Sequence, residues 1–388
     1  MNQLIAGSDV IRASITKGGV KMKIADSFKQ NDTEKKRTEG IERPIKALGH
    51  RDKAIRRFAV VVLGKTRDPR AVESLIVALK DTDWEVRREA AVALGKIGEP
   101  SVKPLIAALK DTDSGIRWRA SEALVRIGRT AVEPVKEMLK GKDWVARSQA
   151  AEILGKIHDS SAVEPLIAAL KDPDSGVRGK AVEALVKIGR PAVEPLIGEL
   201  RGADNSVSAR AMETLVQIGV PAVEPLISTL KEPYDIARKR EAETLVKIGK
   251  PAVELLTQAL NETDNVIRRE AAMVLAKIGD PRAVKPLIQA LKEKDTDVRH
   301  RAAEALVQLG KPSVEPLIDI LKEADSGVRS EASEALVRIG KPAVEPLIRA
   351  LNDADNNVRR EAAGALAKLR SGRTPWGDIP RMAEVPGL

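Results

Sequence analysis

Apolar residues recur along this chain in two alternating kinds of block. In residues 314–321, Val314, Leu317, Ile318 and Leu321 fall at three- and four-residue steps, which is one stripe of a 3.6-residue helix. In the block that follows, counted from Arg329, the Val at −1, Ala at +3, Leu at +7 and Ile at +10 lie within about 80° of one another at 100° per residue, forming a second stripe. Pro312 opens the first helix, and Pro316 falls among the amides that have no intrahelical partner anyway. Asp325 and Ser326 supply acceptors for the start of the second helix, and Gly340-Lys341-Pro342 stops it. The pattern predicts a helical hairpin with one apolar side.

That hairpin is written again every 30 or 31 residues. The arginine of the second block recurs at Arg56, Arg87, Arg117, Arg147, Arg178, Arg238, Arg268, Arg299, Arg329 and Arg359, and the closing glycine at Gly98, Gly128, Gly189, Gly219, Gly249, Gly279, Gly310 and Gly340. A period of this length signals stacked units that each touch only their neighbours. The expected fold class is therefore all-α, an α-α superhelix (α-solenoid) of eleven units between Ile41 and Arg370. Residues 1–40 are expected to form an extension, part of which caps the first unit. Residues 371–388, with three prolines and three glycines, are expected to lie disordered or extended.

Composition narrows the chemistry. Aromatics make up 2% of the 388 residues, so the interior must be built from Ala, Val, Leu and Ile. The absence of cysteine excludes disulfides and thiolate chemistry. No long apolar run or signal-peptide core is present, so the expectation is a cytoplasmic protein without membrane insertion. The net charge is +10; residues 1–40 hold eight Lys/Arg against five Asp/Glu, residues 371–388 two against two, and the repeats hold the remaining +7. No glycine-rich phosphate loop, Ser-His-acid set or metal-ligand cluster stands out, and no cofactor, metal or catalytic residue is assigned.

The recurring DxxVRxxAxxALxxIG followed by AVEPLIxAL resembles the HEAT-like repeats of the phycobilisome lyase type, over residues 41–370. The resemblance implies a right-handed superhelix of antiparallel helix pairs whose second helices line a concave surface. It implies a scaffold in most members and an enzyme in a few, among them bilin lyases and di-iron deoxyhypusine hydroxylases. The latter need paired His-Glu steps, whereas His50, His158 and His300 are each followed by another residue.

The candidate binding residues lie on the second helices. An acid precedes most of the ladder arginines by four residues, as in Asp83–Arg87 and Asp325–Arg329. Arg87, Arg117, Arg147, Arg178, Arg268, Arg299, Arg329 and Arg359 are thus read as structural, bridged bidentately to carboxylates. Positions +1, +2, +5 and +9 vary between units and carry nineteen basic against eleven acidic residues, so they hold the charge excess of the repeats. That excess fits an anionic partner or a mixed solvated face. Trp84, Trp118 and Trp144 stand in consecutive units; with Arg88 and Arg119 they form either an anchor patch or packing over the neighbouring unit. Units six and seven depart from the pattern: Ser208 replaces the ladder arginine, Tyr234 is the one tyrosine, and Glu241 takes a core alanine position. A local register shift is expected there, and the segment is read as drift, a bend or a recognition feature with Arg210, Lys239 and Arg240. Arg269 and Arg301 complete the candidate face. The expected function is a non-catalytic scaffold binding another protein, an acidic one, with a lyase-like accessory role and nucleic-acid binding as the alternatives.

Overall fold

The computed structural model describes residues 33–232 and 235–371, which form helices and connecting turns with no strand among them. Residues 1–32 of the expected 1–40 extension and cap, the tail from 372 onward and Tyr234 lie outside the described residues. Eleven helical hairpins follow one another, from Thr33–Ala47 with Lys53–Thr66 to Lys341–Ala350 with Asn356–Ser371. The opening helix starts at Thr33, inside the segment read from sequence as extension. Two compact units divide the chain, Met1–Ile157 and His158–Leu388.

Each repeat is built as its residue pattern dictates. Most first helices begin with a short 3-10 turn and continue as a seven-residue α-helix, such as Lys311–Ser313 then Val314–Ile320. The second helix runs fourteen residues from an aspartate cap: Asp325 Oδ1 accepts from the amides of Gly327 at 2.7 Å and Val328 at 3.1 Å. Within each unit, second helices pack on second helices and first on first, burying the aliphatic stripes. Val314 is 2% exposed, and Leu317, Leu321, Ala332 and Leu336 are fully buried. A buried Leu of this kind contributes about 1.5–3 kcal/mol of transfer free energy. The isoleucine at +10 is more marginal: Ile97, Ile188 and Ile248 are buried, but Ile127, Ile218 and Ile339 are half-covered.

The spacing of 31 has a local cause. From Arg56 to Arg87, Arg147 to Arg178 and Arg268 to Arg299, one aspartate is inserted after the closing residue: Arg67-Asp68, His158-Asp159 and Gly279-Asp280. That aspartate caps the following 3-10 turn; Asp280 Oδ1 accepts from Arg282 N at 3.0 Å. The closing residue then takes the left-handed helical conformation (Gly279 φ 72, ψ 22), which Arg67 also adopts at φ 52, ψ 28, and His158 shares the positive φ at 60. Where no aspartate is inserted, Gly310 sits at φ 71, ψ −129, a region essentially restricted to glycine.

The arginine ladder corrects the expectation of bidentate bridges to the preceding aspartates. Arg87 Nη1 donates to the carbonyls of Asp81 at 2.6 Å and Thr82 at 2.9 Å. Arg117, Arg147, Arg178, Arg268, Arg299, Arg329 and Arg359 repeat this grip on the carbonyls six and five residues back. The aspartate four residues back is engaged by helix amides instead, as its extended φ/ψ allows. Arg56 adds a bidentate bridge, to Asp81 of the next repeat at 2.7 and 2.8 Å.

No register shift accompanies Ser208 and Glu241; the helices Asn205–Ile218 and Asp235–Ile248 each run the usual fourteen residues. Ser208 Oγ donates to Leu200 O at 2.8 Å, and the missing guanidinium is replaced from the following repeat. Arg240 Nη1 donates to Leu200 O at 2.6 Å and to Gly202 O at 3.0 Å, and its Nη2 donates to Asn205 Oδ1 at 2.7 Å. Gly202 is six residues before Ser208, so its carbonyl is one that a ladder arginine at 208 would hold. Glu241, fully buried, accepts from Arg201 Nε at 2.9 Å. Burial pushes its carboxyl above the usual range while Arg201 and Thr229 pull the other way.

Candidate functional site

In the first unit, Trp84 and Trp144 are each the first residue of a second helix, the N1 position, and Trp118 lies one turn further along its own. Residues −3 and +1 are four apart, hence on one side of the helix. Trp84, Trp118 and Trp144 are 56%, 53% and 53% exposed, so packing over a neighbouring repeat covers only half of each ring. In the other second helices the −3 position holds Ser, Asn, Thr, Asp or, in the first, Lys53. A helix start gains nothing from an indole, and a core would cover it.

Two arginines are stacked on this row. Arg88 Cζ lies 5.3 Å from the Trp84 ring centroid and pairs with Glu89 at 2.9 Å. Arg119 Cζ lies 5.7 Å from the Trp118 centroid, with Nη1 donating to Gly115 O at 2.8 Å. Desolvation, then the nearby Arg87 guanidinium, lower the Arg119 pKa from its ordinary value. Position +1 of one repeat reaches position −2 of the next, as Arg57–Glu85 at 3.0 Å and Arg269–Asp297 at 2.8 Å show. The same step sets Trp118 opposite Val145, itself 37% exposed. Sequence reasoning passed over Val145 because valine is unremarkable at this position, which also holds Ala54, Ile236 and Val266 in other repeats.

The candidates of the second unit are differently placed. Arg210 donates to Ser206 O at 3.0 Å and to its hydroxyl. Arg240 is held by the loop of the preceding repeat, Arg269 by Asp297, and Arg301 by Glu304 at 2.8 Å. Lys239 has no partner among the described residues. An open cleft of about 520 Å³ lies between the Ser175–Ile188 and Asn205–Ile218 helices, where Gly179 leaves room between Arg178, Glu183, Arg210 and Glu213. Among the described residues no group of three or more His, Asp or Glu is placed to hold a metal, and no helix is long and apolar enough to cross a membrane.

A family model for HEAT repeats matches residues 41–125, 132–198, 253–337 and 314–375. The chain belongs to the HEAT-repeat family. The stretch between the second and third HEAT matches, 199–252, contains the Ser208 and Glu241 repeats. No curated protein matches the chain in sequence. Among solved structures, an engineered protein is 24% identical, over 86% of this chain and 99% of that one, at a TM-score of 0.25. Kap121p is 13% identical over 86% of this chain and 46% of its own, at 0.37. The complex of CpcE and CpcF of phycocyanin lyase from Nostoc sp. is 26% identical over 38% of this chain and 99% of that one, at 0.29.

Proposed function

We propose that this HEAT-repeat protein is a non-catalytic scaffold that binds another protein through the solvent-facing side of its second helices, centred on Trp84, Arg88, Trp118, Arg119 and Trp144. The observation that carries the reading is the row of three half-exposed indoles at helix positions where the fold has no use for them. A buried Trp covers roughly 150–250 Å². Covering the exposed half of three would remove about 300 Å² from water, roughly 7 kcal/mol at 25 cal/mol per Å². Association costs about 4–15 kcal/mol, so the indoles form the core of an interface that other groups must complete. Arg210, Arg240, Arg269 and Arg301 are poorer candidates, since none is stacked on an exposed indole as Arg88 and Arg119 are.

The test is capture of a partner from lysate of the native source by the full chain, compared with Trp84→Ala and Trp118→Ala. Loss of the same partner with unchanged circular dichroism supports the reading. Capture by both variants as efficient as by the parent sinks it.

A further inference from the structure

At position +9, near the C-terminal end of the second helices, successive repeats of the first unit carry Lys65, Lys96 and Arg126, all exposed. A cation in the last turn is favoured by the helix dipole wherever it occurs. None of the three has a partner among the described residues, whereas Lys156 pairs with Glu152 at 2.7 Å and Lys247 with Glu243 at 3.1 Å; Lys187 and Lys277 are unpartnered there too, but their helices carry no tryptophan. Glu122 sits one turn before Arg126 without pairing with it. Gly95 keeps this row close to its neighbours: a Cβ there would lie 2.9 Å from Arg126 Cβ. Trp84 begins the helix of Lys96 twelve residues earlier, about 18 Å away at 1.5 Å per residue, and Trp118 lies eight residues before Arg126, about 12 Å away. Between the two rows, one helix beside the next, lie Arg57 and Val61, then Arg88 and Val92.

We propose that this trough seats an acidic, proline-rich segment of a partner protein in the polyproline II conformation, with carboxylates on Lys65, Lys96 and Arg126 and prolines against the indoles. The inference rests on the scaffold reading above and adds the class of partner. Three considerations select it. Three unneutralised cations in a row call for an anionic segment. Polyproline II advances about 3.1 Å per residue with three residues per turn, so every third residue points the same way about 9 Å on, matching the 8–10 Å spacing of packed helices. Exposed aromatic rings are the surface on which such segments dock. The charged residues between the rows, Arg57 and Arg88, disfavour the apolar stripe of an amphipathic helix.

The experiment titrates the purified full chain with a synthetic peptide of repeated Glu-Pro-Pro triplets, followed by tryptophan emission. Peptides of Lys-Pro-Pro and Glu-Ala-Ala triplets and an oligo-dT strand serve as comparisons. Saturable binding of the Glu-Pro-Pro peptide is expected, weakened about tenfold by Lys96→Glu and further by Lys96→Glu with Arg126→Glu. That double variant should now prefer the Lys-Pro-Pro peptide, which separates lost charge matching from lost folding. The proposal is overturned by absence of saturation, by equal affinity for the two proline peptides, by tighter binding of Glu-Ala-Ala or of oligo-dT at the same salt, or by an affinity that charge reversal leaves unchanged. If Trp118→Ala still loses the native partner while the peptide test fails, only the acidic-segment inference falls. Retention of that partner by both tryptophan variants removes the site itself.

Discussion

Arg240 closes the gap that Ser208 leaves in the arginine ladder, and this can be measured. Arg240→Ala removes donors to Leu200 O, Gly202 O and Asn205 Oδ1. A hydrogen bond with a charged donor contributes about 1.5–3 kcal/mol, but these share one guanidinium and Leu200 O keeps the Ser208 hydroxyl, so the expected loss is about 2–4 kcal/mol. Because a repeat array is coupled mainly between neighbours, the loss should be local. Hydrogen exchange in the Asn205–Ile218 and Asp235–Ile248 helices should accelerate roughly thirty- to several-hundred-fold at 1.4 kcal/mol per tenfold, with little change in the Asn356–Ser371 helix. The decisive arm is Ser208→Arg. In the Arg240→Ala background it should restore most of the protection, because an arginine at 208 reaches the carbonyls of Gly202 and Ala203 as Arg178 reaches those of Asp172 and Pro173. With Arg240 still present it should destabilise, since two guanidinium groups then meet at one loop. A loss below about 0.5 kcal/mol for Arg240→Ala, the size of an ordinary surface substitution, would refute the reasoning, as would additivity in the double variant.

Gly310→Ala should lower stability by about 1–3 kcal/mol, because φ 71, ψ −129 is closed to side chains, whereas Gly279→Asn at φ 72, ψ 22 should cost less than about 1 kcal/mol; urea midpoints compare them. Burial raises the Glu241 pKa above its unfolded value, so the folded state binds this proton more readily. Relative to Glu241→Gln, the parent should therefore gain stability as pH falls from neutral through the raised value and gain nothing further below the ordinary glutamate range; a difference that is flat or of opposite slope in pH-dependent urea unfolding counts against it. The Arg282 guanidinium and its backbone amide lower the Asp280 pKa to about 2. Its contribution is present above the ordinary aspartate value and is lost as pH falls toward about 2, so Asp280→Ala and the parent should converge in acid.

The period of the apolar positions decided the fold because each hairpin buries an aliphatic stripe that only another hairpin can cover, and a repeated stripe leaves one arrangement. The polar partners were harder to read, for one geometric reason. An aspartate four residues before an arginine pairs with it only if both are helical, and Asp83 and Asp325 are caps in extended conformation, so their carboxylates turn to helix amides while the arginines reach past them to loop carbonyls. Glu241 was read as costly for the same want of a partner; that partner, Arg201, lies forty residues earlier, at a position where other repeats have lysine or asparagine. Arg201, Ser208 and Glu241 depart from the pattern within two adjoining repeats. With Arg240, at a position that is basic in several repeats, they form a set of four in which each answers another: a lost donor with a supplied one, a buried acid with its base. Departures from a repeat therefore divide into two kinds. Those that are answered, as in this set, maintain the stack and leave little for a partner to bind. Trp84, Trp118 and Trp144 have no such counterpart in the repeats beside them, which is the physical ground for seeking the binding surface in the first unit.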